Sequence, residues 1–146
     1  MLHALERILL ALWVGGLWAV GYLVAPVLFA SLGDRALAGT LAGILFTWMN
    51  HIGLAIGIVL LLLNRLRARP GIDWRAFGLV LMLVLILANQ YWLSPMMADL
   101  RAQGLAEGSA AAARFARLHG VSAFLYLVNS LVGLALVAVD VRRPPA

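Results

Sequence analysis

Four long apolar stretches alternate with short polar clusters along the chain. No charged residue falls between Arg7 and Asp34, between Arg35 and Arg65, between Arg75 and Asp99, or between Arg117 and Asp140. Each gap exceeds the roughly 20 residues that an α-helix needs to cross a hydrocarbon core. The pattern predicts four transmembrane helices, at about residues 8–30, 41–63, 76–93 and 118–139. The fold class expected is therefore all-α: a polytopic membrane four-helix bundle forming a single domain over residues 1–146. The first apolar run is too long for a cleaved signal peptide, whose core is about 7–15 residues, and Leu28-Phe29-Ala30 lacks a small-x-small cleavage pattern. It is expected to stay in the membrane. Between the third and fourth spans, SAAAARFARL (Ser109 to Leu118) has helix-forming composition, so it should extend the fourth span outward or lie on the membrane surface. No internal repeat is expected.

Composition agrees with the pattern. The chain is 64% hydrophobic and 12% charged, with a mean hydropathy of +1.00, too little charge to cover a soluble surface. All the basic residues are arginines. Arg7, Arg65, Arg67, Arg69, Arg75, Arg142 and Arg143 share one face of the membrane, against Arg35, Arg101, Arg114 and Arg117 on the other. The positive-inside rule then puts both termini and the turn-forming RARPGIDWR loop in the cytoplasm. The pI of about 11.1 reflects this topology and contact with anionic headgroups; no nucleic-acid partner is expected, since no basic patch interleaves with aromatics on a soluble module. The absence of cysteine removes disulfides, thiolate metal sites and thiol catalysis. Abundant Arg, Ala, Leu and Gly without lysine suggests a GC-rich bacterial source, and hence a multi-pass protein of the inner membrane.

Small residues recur where helices would pack closely. Gly39 with Gly43 and Gly53 with Gly57 form GxxxG pairs, and Gly15, Gly16 and Gly21 thin the first span. In lipid such positions let backbones approach, within the bundle or between copies in a homo-oligomer. Trp13, Trp18, Trp48 and Trp92 do not all fall at span ends, so some should pack inside.

The polar residues within the spans are few and fall at similar depth. Tyr22, His51, Asn89 and Tyr126 lie fourteen or fifteen residues from Arg7, Arg65, Arg75 and Asp140 respectively, about 21–22 Å along helices rising about 1.5 Å per residue. Gln90 adjoins Asn89 and Asn50 adjoins His51. On the fourth span His119, Ser122, Tyr126 and Asn129 are spaced by three, four and three, which puts them on one face. Polar groups in hydrocarbon turn inward and find partners, so these residues should converge in an outward-facing pocket. The alternative is that they only hold the helices together.

Several chemistries compete for such a pocket. His51 and His119 are the only imidazoles inside the spans and the only candidates for metal or bis-histidine haem ligation. Their depths differ by about 10 Å, and no carboxylate or thiolate joins them, so no cofactor is expected. Proton-driven transport on a buried acid lacks its acid, because no Asp or Glu falls within a span. Ser122 and His119 stand at i and i+3 without an orienting acid or a nucleophile elbow, and no phosphate loop or dinucleotide fingerprint occurs. No catalytic residue is assigned, and an enzyme is the less favoured reading.

Four short motifs carry a family resemblance over most of the chain. LFASL (Leu28 to Leu32) ends the first span, LFTWMNHI supplies Leu45, Phe46, His51 and Ile52, NQYWLSP supplies Asn89, Trp92, Leu93 and Pro95, and HGVS supplies His119, Gly120 and Ser122. In this order and spacing the chain resembles the transmembrane-protein-205-like family, whose bacterial members form the membrane domain of unknown function 4149. The resemblance implies a four-helix membrane fold, and proposals for relatives lean towards handling or exporting toxic solutes. Two positions depart from it: Ser94 stands where members can carry a carboxylate, and Tyr126 where they can carry an asparagine.

The functional expectation is a membrane protein that binds a small solute or metal species, and passes it across, through a polar pocket of Tyr22, His51, Asn89, Gln90, His119, Ser122, Tyr126 and Asn129. Its partners would be the bilayer, the solute and a second copy of the chain. A non-catalytic scaffold or assembly subunit, whose polar layer only holds helices together, is the first alternative. A haem-binding redox protein is the second.

Overall fold

A computed structural model describes residues 2–66 and 73–141, and these are helical apart from two short connections. The Pro70-Gly71 turn and Arg67, Arg69, Arg142 and Arg143 lie outside the described residues. Helix α1 (Leu2–Trp18) runs through a wide π-helical turn, Ala19–Val24, into α2 (Ala25–Ser31). Helix α3 covers Arg35–Leu66. Helix α4 (Trp74–Ala88) runs through a second wide turn, Asn89–Leu93, into α5 (Ser94–Ala102), and α6 covers Ala110–Val141. Four rods result that are long and apolar enough to cross a membrane: Leu2–Ser31, Arg35–Leu66, Trp74–Ala102 and Ala110–Val139. The protein is a four-helix membrane bundle.

These rods exceed the spans read from the apolar gaps because helix continues into the polar flanks. At 29–32 residues each is roughly 45 Å long, the thickness of a bilayer with its headgroups rather than of the hydrocarbon alone. The SAAAARFARL segment does extend the fourth span outward, from Ala110. Side chains close the helix starts. Asp34 Oδ1 accepts from the Ala36 and Leu37 amides at 2.8 and 3.2 Å, and Ser109 Oγ accepts from Ala112 N at 3.1 Å. Asp73 Oδ1 accepts from Arg75 N and Ala76 N at 3.1 and 3.4 Å. Its other oxygen takes the Asn64 amide, which ties the end of α3 to the start of α4. That amide, followed by the α4 backbone amides, holds the Asp73 carboxyl below its ordinary value.

The rods run alternately up and down in a ring, the first and third each packing against the second and fourth. Trp13 fills the middle and is fully buried, with Leu10, Leu17, Leu60, Leu79, Met82, Ile86 and Leu136 around it. Glycine makes the room. A Cβ on Gly53 would stand 2.5 Å from Trp13 Nε1, and one on Gly57 would stand 2.6 Å from Leu83 Cδ2. This GxxxG pair therefore packs against α1 and α4 of its own chain. Of the other tryptophans, Trp48 and Trp92 face outward.

Both wide turns precede a proline. A proline inside an α-helix has no N–H to donate and its ring collides with the carbonyl four residues back. Ahead of Pro26 and Pro95 the helix widens, so that Ala25 N bonds Val20 O and Ser94 N bonds Asn89 O, each five residues back. Tyr22-Leu23-Val24-Ala25-Pro26 and Tyr91-Trp92-Leu93-Ser94-Pro95 share one pattern: tyrosine, two apolar residues, a small residue and proline. The first and third rods thus repeat one local device that the sequence reading passed over.

Candidate functional site

The polar residues of the spans gather at these two turns, where the regular i to i+4 ladder is disturbed; α6 meets a backbone carbonyl at the first and the Asn89 side chain at the second. Tyr126 Oη donates to the Leu17 carbonyl at 2.6 Å, just before the first turn. Its ring lies so close to the first wide turn that a Cβ on Gly21 would collide with it. Phe46 meets the same ring edge-on, with centroids 5.1 Å apart. One turn further along α6, Ser130 Oγ donates to the Leu127 carbonyl at 2.9 Å and so accepts from Tyr22 Oη at 2.7 Å. Trp18 Nε1 donates to the Ser130 carbonyl at 3.4 Å and its ring packs on Tyr22.

At the second turn, Ser122 Oγ donates to Asn89 Oδ1 at 2.8 Å and Asn89 Nδ2 donates back to the Ser122 carbonyl at 3.5 Å. The neighbouring Gln90 Oε1 accepts from Asn50 Nδ2 of α3 at 2.9 Å. Tyr22, Asn89, Gln90, Ser122 and Tyr126 thus belong to a layer of paired groups joining all four rods. Asn129 is buried on α6 between Tyr126 and Gly133, and its Oδ1 finds no hydrogen-bond partner among the described residues. Trp13 Nε1 is likewise buried without one.

The histidines do not join the layer. His51 is exposed on α3, with Nδ1 at 2.8 Å from the Thr47 carbonyl of its own helix. His119 is exposed on α6 and stacks on Phe115 one turn earlier, at 6.0 Å between centroids; the Arg101 guanidinium lies 5.0 Å from the centre of the same Phe115 ring. The two imidazoles thus sit on outer faces of rods that are diagonal in the ring, so they do not converge. Among the described residues no group of three or more His, Asp or Glu side chains could hold a metal ion. The spacing of three, four and three does align Ser122, Tyr126 and Asn129, but further out the packed face of α6 runs through Leu118 and Phe115, which leaves His119 beside it and exposed.

Three residues outside the expected set matter here. Ser130 is fully buried, and the signal available for it was its position next to Asn129 on the fourth span. Glu6 and Arg75 form a buried ion pair, Nη1 to Oε2 at 3.0 Å, between the first and third rods. In the sequence Arg75 is one of the arginines of the basic face and closes a charge-free gap, while Glu6 stands just outside another; that Glu6 falls at helical spacing with Leu10, Trp13 and Leu17 on the inward face of α1 was the available signal. Two surface grooves lie between neighbouring rods. One, of about 430 Å³, is lined by Ile58, Leu61, Leu62, Asn64, Arg65 and Ala76. The other, of about 350 Å³, is lined by Ala11, Val14, Gly15, Trp18, Leu134 and Val137.

A family model described as a domain of unknown function, DUF4149, matches residues 8–106. No curated protein and no solved structure matches the chain.

Proposed function

Since the chain belongs to the DUF4149 family, a domain of unknown function, its role has to be read from its own residues, and we propose a non-catalytic membrane scaffold or assembly subunit. The observation that carries this reading is that the polar layer is spent on itself. Ser122 with Asn89, Asn50 with Gln90, Tyr22 with Ser130 and Tyr126 with the Leu17 carbonyl are mutually satisfied pairs. Such pairs join transmembrane helices at about 0.6 kcal/mol each, up to about 1.7, and leave those groups little capacity for a solute. The imidazole of His51 and the indole of Trp48 face outward within the span, where a polar group in hydrocarbon is best covered by another membrane helix. We place the protein in a bacterial inner membrane with both termini cytoplasmic, and we keep the transmembrane-protein-205-like kinship as part of the same reading.

Native electrophoresis of solubilised membranes tests it. A defined complex larger than the single chain is expected, dispersed by His51→Ala combined with Trp48→Ala; a chain that migrates alone under every mild detergent sinks the reading. A second reading, binding of a small polar solute, is favoured by one observation. Trp13 Nε1 and Asn129 Oδ1 offer a buried donor and a buried acceptor without partners among the described residues. It requires a solute that raises the unfolding temperature of the wild type and leaves Asn129→Leu unchanged.

A further inference from the structure

The groove between α3 and α4 has the chemistry of a lipid site. Its walls are the aliphatic side chains of Ile58, Leu61 and Leu62, and Ala76 leaves the opposite side open. Its polar end carries Asn64 and the exposed guanidinium of Arg65. Ile58 and Arg65 are seven residues apart on one helix, so the groove runs about 10 Å along the membrane normal, from inside the span to the end of the rod. We propose that this groove seats one acyl chain of an anionic phospholipid, with the headgroup phosphate at Arg65, in the leaflet at the end where the chain begins and ends.

Charge complementarity selects this occupant. Among the described residues, the ionisable side chains next to Ala76 on the facing element are Asp73 and Arg75. The Asp73 carboxylate is turned onto the Asn64 amide and the first backbone amides of α4, and Arg75 is directed inward to Glu6. Among the described residues Arg65 is the charged side chain that lines the groove, and Arg67 and Arg69 follow it in sequence. A guanidinium pairs with a phosphate through two parallel N–H donors, and a basic side chain at an anionic leaflet is favoured over one at a zwitterionic leaflet. The aliphatic walls suit a hydrocarbon tail and reject a free phosphate.

Native mass spectrometry of the purified full chain, in detergent with equimolar phosphatidylglycerol and phosphatidylcholine of the same acyl composition, reads the site directly. The wild type is expected to retain one phosphatidylglycerol in preference to phosphatidylcholine. Arg65→Gln should lower that preference about fivefold, the factor associated with one basic side chain at an anionic surface. Ala76→Phe, which fills the groove, should remove the bound lipid altogether. Arg65 is exposed, so its variant keeps the fold, and an unchanged unfolding temperature verifies this. Equal retention of the two lipids, or both variants binding like the wild type, overturns the proposal. So does a shift of Ala76→Phe from dimer to monomer, which would give the groove to a second copy.

Discussion

At the scale of the residue, the layer depends on where a side chain is missing as much as on where one is present. Gly21 lets the Tyr126 ring lie against α1, and that ring cannot retreat because Phe46 faces it and its hydroxyl is held by Leu17 O. Gly21→Ala is therefore expected to lose about 1–3 kcal/mol through forced repacking, read as unfolding in mixed micelles. Gly15→Ala is the control. Nothing lies within 4 Å of a Cβ there, so the helix should gain about 0.5–1 kcal/mol from reduced backbone freedom. Equal effects at the two glycines would refute the packing argument. Ser122→Ala should lower stability by about 0.6–1.7 kcal/mol, the range of interhelical hydrogen bonds in membranes. His119→Ala, on the same helix but facing outward, should leave it unchanged.

At the scale of the element, the apolar gaps located all four helices, because hydrocarbon tolerates no charge and a helix is the only unpaired segment that satisfies its own backbone there. The ends were less legible, since helix continues past the last apolar residue into the headgroup region. The wide turns were not legible at all. One inserted residue leaves the apolar run intact, and Pro26 and Pro95 are the only marks it makes. The candidate residues followed the same division: Tyr22, Asn89, Gln90, Ser122 and Tyr126 each bond a group on a neighbouring rod, whereas depth alone could not tell which way His51 or His119 would point. The start of α4 depends on Asp73, whose lowered pKa has a stated sign. A carboxyl held below its unfolded value adds stability that is complete above the ordinary carboxylate range and is lost as the pH falls through the folded value. Asp73→Asn, which still accepts the α4 amides, should remove this acid-side dependence. Asp73→Ala should in addition lower stability by about 1 kcal/mol at neutral pH, as loss of an N-cap does. An acid unfolding curve of Asp73→Asn that superimposes on the wild type would refute the assignment.

At the scale of the whole molecule, the ring is joined across its diagonal by one buried ion pair, Glu6 on α1 and Arg75 on α4. Both side chains are almost fully buried near the end of the bundle that begins the chain. Burying two charges is costly, and their attraction offsets that cost only while both are present. Removing one partner should therefore be worse than removing both. Glu6→Gln leaves the Arg75 guanidinium buried beside a neutral amide and is expected to lose about 3 kcal/mol or more. The double variant Glu6→Gln with Arg75→Met takes away both buried charges and should recover most of that loss. Reversible unfolding of the wild type, both single variants and the double variant closes the cycle. Additive losses would mean that the two side chains act independently and that the diagonal contact contributes nothing to the bundle. A strong positive coupling would make this pair the counterpart, at the chain-end side of the membrane, of the neutral hydrogen-bonded layer at the wide turns. The rods would then be fastened at two levels, by charge near the headgroups and by amides and hydroxyls deeper in the hydrocarbon, where a bare charge is least tolerated.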